Sequence, residues 1–170
     1  RWGLRVAGGS MGLGLPMAVG LALAKKLKGE EGKVYVVMSD GEMAIGTTWE
    51  SVLIAAHHKL DNLVVIVDCN GFQAMGKTED ILSVPDGQSG MDLWGNIWWD
   101  VENVVGHNYE DIEFKLKMLA TGVPRCIVAE TIKGKGVSFF ENHLLYHYKH
   151  VEKDEYERAM AELTSDVAHV

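Results

Sequence analysis

Residues 33–70 read KVYVVMSDGEMAIGTTWESVLIAAHHKLDNLVVIVDCN, and the order of patterns within them decides the fold. The run Lys33 to Ser39 is short, apolar and rich in β-branched residues, as expected for a strand buried on both faces of a parallel sheet. Asp40 stands at its carboxyl end. From about Met43 to His58 the spacing becomes helical, with Trp49, Val52, Leu53 and Ala56 forming an i, i+3, i+4, i+7 apolar face. Leu63 to Val67 is a second buried strand, and Asn70 stands just past its end. One strand-helix-strand unit separates Asp40 from Asn70. At that length the two residues are expected at the carboxyl ends of neighbouring parallel strands, facing one crevice.

Working outward, residues 8–29, GGSMGLGLPMAVGLALAKKLKG, read as a glycine-rich loop feeding a helix with a basic end closed by Gly29. Downstream, Asp100 to Val105 forms a strand, Tyr109 to Ala120 a helix, Cys126 to Glu130 another strand, and Lys153 to Leu163 a charged amphipathic helix. This alternation predicts a three-layer α/β/α doubly wound, mainly parallel sheet with right-handed crossovers. Between the last strand and last helix lies IKGKGVSFFENHLLYHYKH, residues 132–150, too long for a simple connector and therefore read as a functional loop. The whole chain, residues 1–170, fits a single domain.

Composition narrows the function. The 16 basic and 24 acidic side chains leave a net charge of -8, against a nucleic-acid backbone or an anionic membrane as the main partner. Any phosphate site must be local. No apolar run reaches membrane-spanning length, and RWGLRVAGG shows neither a signal-peptide core nor a lipidation motif. Cys69 and Cys126 form no CxxC pair and sit in strand-like apolar runs, which fits a reducing, cytoplasmic setting.

The carboxylate of Asp40 and the amide oxygen of Asn70 are hard ligands suited to Mg²⁺ or Ca²⁺, and Mg²⁺ commonly completes its shell with phosphate oxygens and water. A diphosphate would supply those oxygens. Gly41 permits close approach of the backbone to a phosphate, and Gly71 permits the chain to turn back over the metal. The backbone carbonyl of Phe72 can serve as a third protein ligand. Asp-Gly and Asn-Gly are also ordinary turn formers, so spacing alone leaves a metal-free pair of turns open.

Residues 39–76, SDGEMAIGTTWESVLIAAHHKLDNLVVIVDCNGFQAMG, closely resemble the thiamine-diphosphate signature of transketolases. GGSMGLGLPMAVGLALAKKL resembles the family's glycine-rich segment, ETIKGKGVSFFEN its later loop, and LLYHY the stretch that carries its diphosphate-contacting histidine. The resemblance implies that Asp40, Asn70 and the carbonyl of Phe72 bind the metal and that Gly41 touches the diphosphate. It places Gly9 and Met11 on the pyrimidine side of the cofactor, matches Glu50 to a family glutamate, and gives His147 a catalytic contact with diphosphate or substrate. A lone surface histidine and an exposed helical glutamate are the bland alternatives for His147 and Glu50.

The implied reaction is transfer of a two-carbon ketol unit from a ketose or its phosphate to an aldose or its phosphate. The implied partner is a pyrimidine-binding transketolase domain or subunit, in a dimer or heterotetramer, since nothing here resembles that domain. Some positions depart from the family's pattern. Ser39 replaces a glycine, Ala44 and Ile45 replace a Gln-Glu pair that joins an acidic network across the dimer, Leu13 takes a polar position, and Tyr148 stands where many relatives have glycine. The chain also starts just before the glycine-rich segment, as a truncated amino terminus would.

Three further readings stand beside this one. The chain can belong to a specialised ketol transferase, or to a non-catalytic subunit binding metal and diphosphate, which Ala44 and Ile45 favour. A dinucleotide-binding module rests only on GGSMGLG, which follows no strand and lacks the acidic residue that would bind ribose. His57 and His58 are expected at a helix end, His107 at a turn or helix entry, and Trp94, Trp98 and Trp99 in packing.

Overall fold

The computed structural model describes residues 3–82, 91–118 and 122–166. Its main elements are α1 (Gly14–Lys28), β1 (Val34–Ser39), α2 (Gly46–His57), β2 (Leu63–Cys69), the two-residue strands β3 (Phe72–Gln73) and β4 (Gly76–Lys77), and the short helices α3 (Thr78–Ile81) and α4 (Asp92–Gly95). β5 (Asp100–Val105), α5 (Tyr109–Lys117), β6 (Arg125–Glu130) and α6 (Lys153–Asp166) complete the order. Among the described residues the main sheet is β1-β2-β6-β5, all parallel, and β3 pairs antiparallel with β4.

Local chemistry explains where the first helix starts and stops. Pro16 lies in the first turn of α1, where a missing N–H costs nothing. At the other end Gly29 takes the left-handed conformation, φ 66°, and Lys25, Lys26 and Lys28 face the negative end of the helix dipole.

The sheet alternates strictly at its centre. Leu63, Val65 and Val67 of β2 point to one face, with Cys126 and Val128 of β6, and pack against Leu15, Val19 and Ala22 of α1 and Val52 and Ala55 of α2. Val64 of β2, with Ile127 and Ala129 of β6, points to the other face and meets Ile112 and Leu116 of α5. This is the expected three-layer arrangement. The tryptophan group divides: Trp94 and Trp99 are buried in tilted contact, their ring centroids 4.9 Å apart, and Trp99 donates its indole N–H to the Val52 carbonyl. Trp98 is 68% exposed and contributes nothing to the core.

Two expectations are corrected. β1 is not buried on both faces, because it is the edge strand and α5 lies over the far side of the sheet; Tyr35 and Val37 are 55% and 71% exposed. The helix expected from Met43 is two elements. A 3₁₀ turn, Asp40–Ala44, ends at the extended residue Ile45, and α2 starts at Gly46. Consequently the buried face of α2 comprises Thr48, Ser51, Val52, Ala55 and Ala56, while Leu53 is exposed. The helix expected to reach Ala120 ends at Lys117, and residues 119–121 lie outside the described ones.

The 132–150 loop is held by specific contacts. Gly134 has φ 74°, and a Cβ there would lie 2.7 Å from the Phe140 carbonyl oxygen, so only glycine fits. α6 closes over it: Glu162 accepts from the Ser138 hydroxyl at 3.0 Å, and the Arg158 guanidinium stacks on Phe139.

The sheet's far side is tied by one buried cation. Arg125 is 4% exposed, donates from Nε and Nη2 to Asp100 at 2.8 and 2.5 Å, and from Nη1 to the Lys115 carbonyl at 2.8 Å, joining β5, β6 and the end of α5. Removing a buried partner leaves its counter-charge uncompensated. Arg125→Ala and Asp100→Asn are therefore each expected to lower stability by about 3 kcal/mol, the first because it strips donors from Asp100 and the Lys115 carbonyl, the second because it keeps an acceptor but leaves the buried guanidinium without its counter-charge. Urea unfolding of the purified variants measures both.

Candidate functional site

Where β1 ends, Ser39 is still extended, and Asp40 opens the 3₁₀ turn with its side chain only 3% exposed. One carboxylate oxygen, Oδ2, accepts the Gly71 N–H at 2.7 Å, from the residue just beyond the end of the neighbouring strand. The other, Oδ1, is buried with no hydrogen-bond partner among the described residues. Burial raises the pKa of this carboxyl; the N–H groups of Gly71 and Gly41 pull it down, and the charge of Asp68 pushes it up. A buried carboxylate oxygen without a donor is expensive unless a cation or proton meets it. The sequence reading of Asp40 and Asn70 at adjacent strand ends is borne out: Ser39 pairs with Asp68 in the parallel register.

Asn70 follows β2 and makes a tight side-chain turn. Its Oδ1 accepts the Phe72 N–H at 2.9 Å, and its Nδ2 donates to Asp68 Oδ2 at 3.2 Å. Asp68 Oδ1 in turn accepts the hydroxyl of Thr131, the residue after β6. Gly71 has φ 77°, which lets the chain double back into the β3–β4 hairpin, and its carbonyl accepts the Thr78 N–H at 3.0 Å. The result is an open cleft of about 320 Å³ whose lining includes Asp40, Gly71 and Phe72 on one side and Lys77, Thr78 and Glu79 on the other.

The glycine-rich loop is clamped to the same turn. Glu42 Oε2 accepts the Gly12 N–H at 2.8 Å, and the Thr47 hydroxyl donates to the Gly12 carbonyl at 2.7 Å. Gly12 has φ 79°, and a Cβ there would come within 2.3 Å of Ile45 Cγ2. The next residue back, Met11, reaches the site: a Cβ on Gly41 would lie 3.2 Å from Met11 Cε and 3.1 Å from Gln73 Cβ. Loop, turn and hairpin thus converge on Gly41, where a side chain would crowd Gln73 and Met11.

The remaining expected site residues lie apart from this cluster. Gly9 is exposed, with nothing within 4 Å of the place a Cβ would take. Glu50 is on the solvent side of α2. His147 is exposed and ends a 3₁₀ turn, Leu144–His147, that packs beside β3. His107 does more than enter a helix, since its Nε2 accepts the Ile132 N–H at 2.7 Å and holds the start of the 132–150 loop. His57 and His58 close α2, as expected. Sequence reasoning missed Glu42, Thr47, Asp68 and Thr131. The spacing D-x-N at 68–70 was a usable signal for Asp68; nothing short of the fold brings Thr131 to it.

Among the described residues no three His, Cys, Asp or Glu side chains gather as a metal cluster. A divalent ion here would have the Asp40 carboxylate, an amide oxygen and a backbone carbonyl, and would take further oxygens from its ligand, which is how Mg²⁺ is usually held beside phosphates. The donor set fits that ion.

Comparison with known proteins agrees with the geometry. The family model described as "Transketolase, thiamine diphosphate binding domain" matches residues 1–168. An apulose-4-phosphate transketolase subunit from Actinobacillus succinogenes is 38% identical over 165 residues, covering 96% of this chain and 59% of that one. The 6-deoxy-6-sulfo-D-fructose transketolase subunit of a Clostridium species is 33% identical, covering 98% and 60%. In three dimensions, transketolase from Campylobacter jejuni superposes with a TM-score of 0.86 at 26% identity, over 95% of this chain and 26% of that one. The chain therefore spans about three fifths of these two relatives and about a quarter of the full-length enzyme.

The cost of burying the Asp40 charge gives a test. Asp40→Asn keeps the acceptor for Gly71 and removes the uncompensated charge, so without metal it is expected to melt about 2–4 °C higher, the shift for about 1 kcal/mol in a domain of this size. The same variant loses any stabilisation by Mg²⁺ with thiamine diphosphate, measured by thermal unfolding with and without them.

Proposed function

Since this chain belongs to the transketolase family, as a thiamine-diphosphate-binding domain, we propose that it is the diphosphate-binding half of an enzyme that moves a two-carbon ketol unit from a ketose or its phosphate to an aldose or its phosphate. The observation that carries this reading is the Asp40 carboxylate, buried, bonded through one oxygen to Gly71 and without a partner at the other among the described residues, in the lining of a cleft shared with Gly71 and Phe72. In the proposal Asp40, the Asn70 amide oxygen and the Phe72 carbonyl hold Mg²⁺, or Ca²⁺ in its place. Gly41 lets the backbone come close to the diphosphate.

When bound, thiamine diphosphate supplies the electron sink that lets a carbon–carbon bond beside a carbonyl break. The protein's own work is anchoring and positioning. The two strand ends fix the charged tail of the cofactor, and the Gly12 clamp holds Met11 over Gly41, against the side where the pyrimidine would lie; Gly9 is assigned to that side as well. His147 is assigned a contact with diphosphate or substrate. Glu50 keeps a proposed place on the cofactor side only if the assembled enzyme covers its exposed face.

The partner in this proposal is a pyrimidine-binding transketolase domain or subunit, in a dimer or heterotetramer. The relatives named as transketolase subunits support a separate chain. The sugars in their names, apulose 4-phosphate and 6-deoxy-6-sulfo-D-fructose, support a specialised sugar or sugar-phosphate substrate. No helix among the described residues is long and apolar enough to cross a membrane, and the proposed compartment is the cytoplasm. One observation favours the second reading, a subunit that binds metal and diphosphate without turnover: Ile45, where the family resemblance implies a glutamate, packs its side chain on Gly12 and offers no carboxylate.

Calorimetric titration of thiamine diphosphate separates these readings, with and without Mg²⁺, into the chain alone and into the chain mixed with its pyrimidine-binding partner. Tight, Mg²⁺-dependent binding is expected only in the mixture, together with ketol transfer. Binding without turnover supports the non-catalytic reading. Absence of binding with both proteins folded would remove the cofactor assignment.

A further inference from the structure

Asp68 sits half-buried at the end of β2, two residues before Asn70, and lies close enough to Asp40 for its charge to be felt there. Unlike Asp40, it has both oxygens engaged. Oδ2 takes an N–H of the Asn70 amide at 3.2 Å and Oδ1 takes the Thr131 hydroxyl. An ionised carboxylate only accepts. The group facing it must therefore be the NH₂ end of Asn70, which turns the carbonyl end toward the Phe72 N–H at 2.9 Å. A flipped Asn70 would set oxygen against carboxylate and NH₂ against a backbone N–H, both repulsive. One lone pair of Asn70 Oδ1 meets Phe72, and the second is left for another partner.

Asp68 itself is placed from the far strands. The Thr131 N–H donates to the Cys69 carbonyl at 3.2 Å, which extends the β2–β6 pairing by one rung. Gly106, just past β5, donates its N–H to the Glu130 carbonyl at 2.8 Å, and a Cβ on Gly106 would come within 2.4 Å of Thr131 Cγ2. Thr131 is thus wedged between two strand ends with its hydroxyl aimed at Asp68.

We infer that Asp68 is a positioning residue for metal binding: braced by Thr131, it fixes the rotamer and amide orientation of Asn70 so that the Asn70 oxygen is presented to the divalent ion. The inference rests on the metal-diphosphate reading of the cleft. Each Asp68 oxygen already accepts one hydrogen bond, one of them from Asn70, and its proposed effect on the ion runs through that amide.

The test is Mn²⁺ affinity in the presence of thiamine diphosphate, read from the electron paramagnetic resonance signal of free Mn²⁺, for the chain assembled with its pyrimidine-binding partner. Asp68→Asn presents one acceptor and one donor, so Asn70 is no longer compelled to one orientation. It is expected to bind Mn²⁺ about ten-fold more weakly, as for other residues that orient a ligand, while its metal-free melting temperature stays within a few degrees of wild type. Thr131→Val weakens binding in the same direction and Thr131→Ser restores it, which repeats the test without altering Asp68. The double variant Asp68→Asn/Asn70→Ala is expected to bind no more weakly than Asn70→Ala alone. Effects that multiply in the double variant would mean that Asp68 acts as a charge in its own right, and unchanged affinity in both Asp68→Asn and Thr131→Val would mean that it does not act at all; either overturns the inference. If Asn70→Ala binds Mn²⁺ as wild type does, the metal reading of the cleft falls first and the inference with it.

Discussion

The hydrogen bond from the Gly71 N–H to Asp40 Oδ2 is the point on which the cleft depends. It joins the ends of two parallel strands through a carboxylate that is almost wholly removed from water. A carboxylate in that position is held below its full desolvation cost by the donors it has, and it remains short of one. The deficit is local, since one oxygen lacks a donor in a residue that lines the cleft shared with Gly71 and Phe72. Stored strain of this kind is characteristic of sites that bind something.

Everything around that bond restricts motion. The Asx turn at Asn70 and the left-handed Gly71 fix the approach of β3, Gln73 of β3 packs on Gly41, and Met11 closes the other side. Gly12 is held at both its N–H and its carbonyl by side chains of the turn and helix that follow Asp40. The glycine-rich loop and the Asp40 turn are therefore one mechanical unit, although 30 residues separate Gly12 from Glu42. Ile45 belongs to this unit. Its contact with Gly12 gives a structural reason for an apolar residue at that position, whatever happens to communication between paired sites.

Much of this was legible from residues alone because parallel strands and their crossovers obey short-range rules. The apolar runs at 33–39 and 63–67, the helical spacing between them and the two dipeptides Asp-Gly and Asn-Gly were enough to place Asp40 and Asn70 side by side. The misplaced start of α2 shows the limit of periodicity. Met43 has an apolar side chain at helical spacing, but it belongs to a 3₁₀ turn, anchored by the Trp49 indole N–H donating to its carbonyl at 2.9 Å. The burial of β1 was overstated for a related reason: a run of Val and Tyr reads the same at a sheet edge as at its centre, and only the strand order β1-β2-β6-β5 separates the two cases.

The sequence by itself determined the fold class and the placing of Asp40 and Asn70 at neighbouring strand ends, because these depend on strand-helix-strand spacing, and it pointed to the family through several resembling segments in the right order. Only the tertiary structure decided which side chains act together. Thr131 meets Asp68 across 63 residues and His107 meets Ile132 across 25, pairings created by the order of strands in the sheet and invisible to any local pattern. It also decided that Asp40 is open at one oxygen while Asp68 is not. Two aspartates at the ends of adjacent strands look alike as letters, and they differ because burial and the direction of neighbouring N–H and O–H groups are properties of the packed chain.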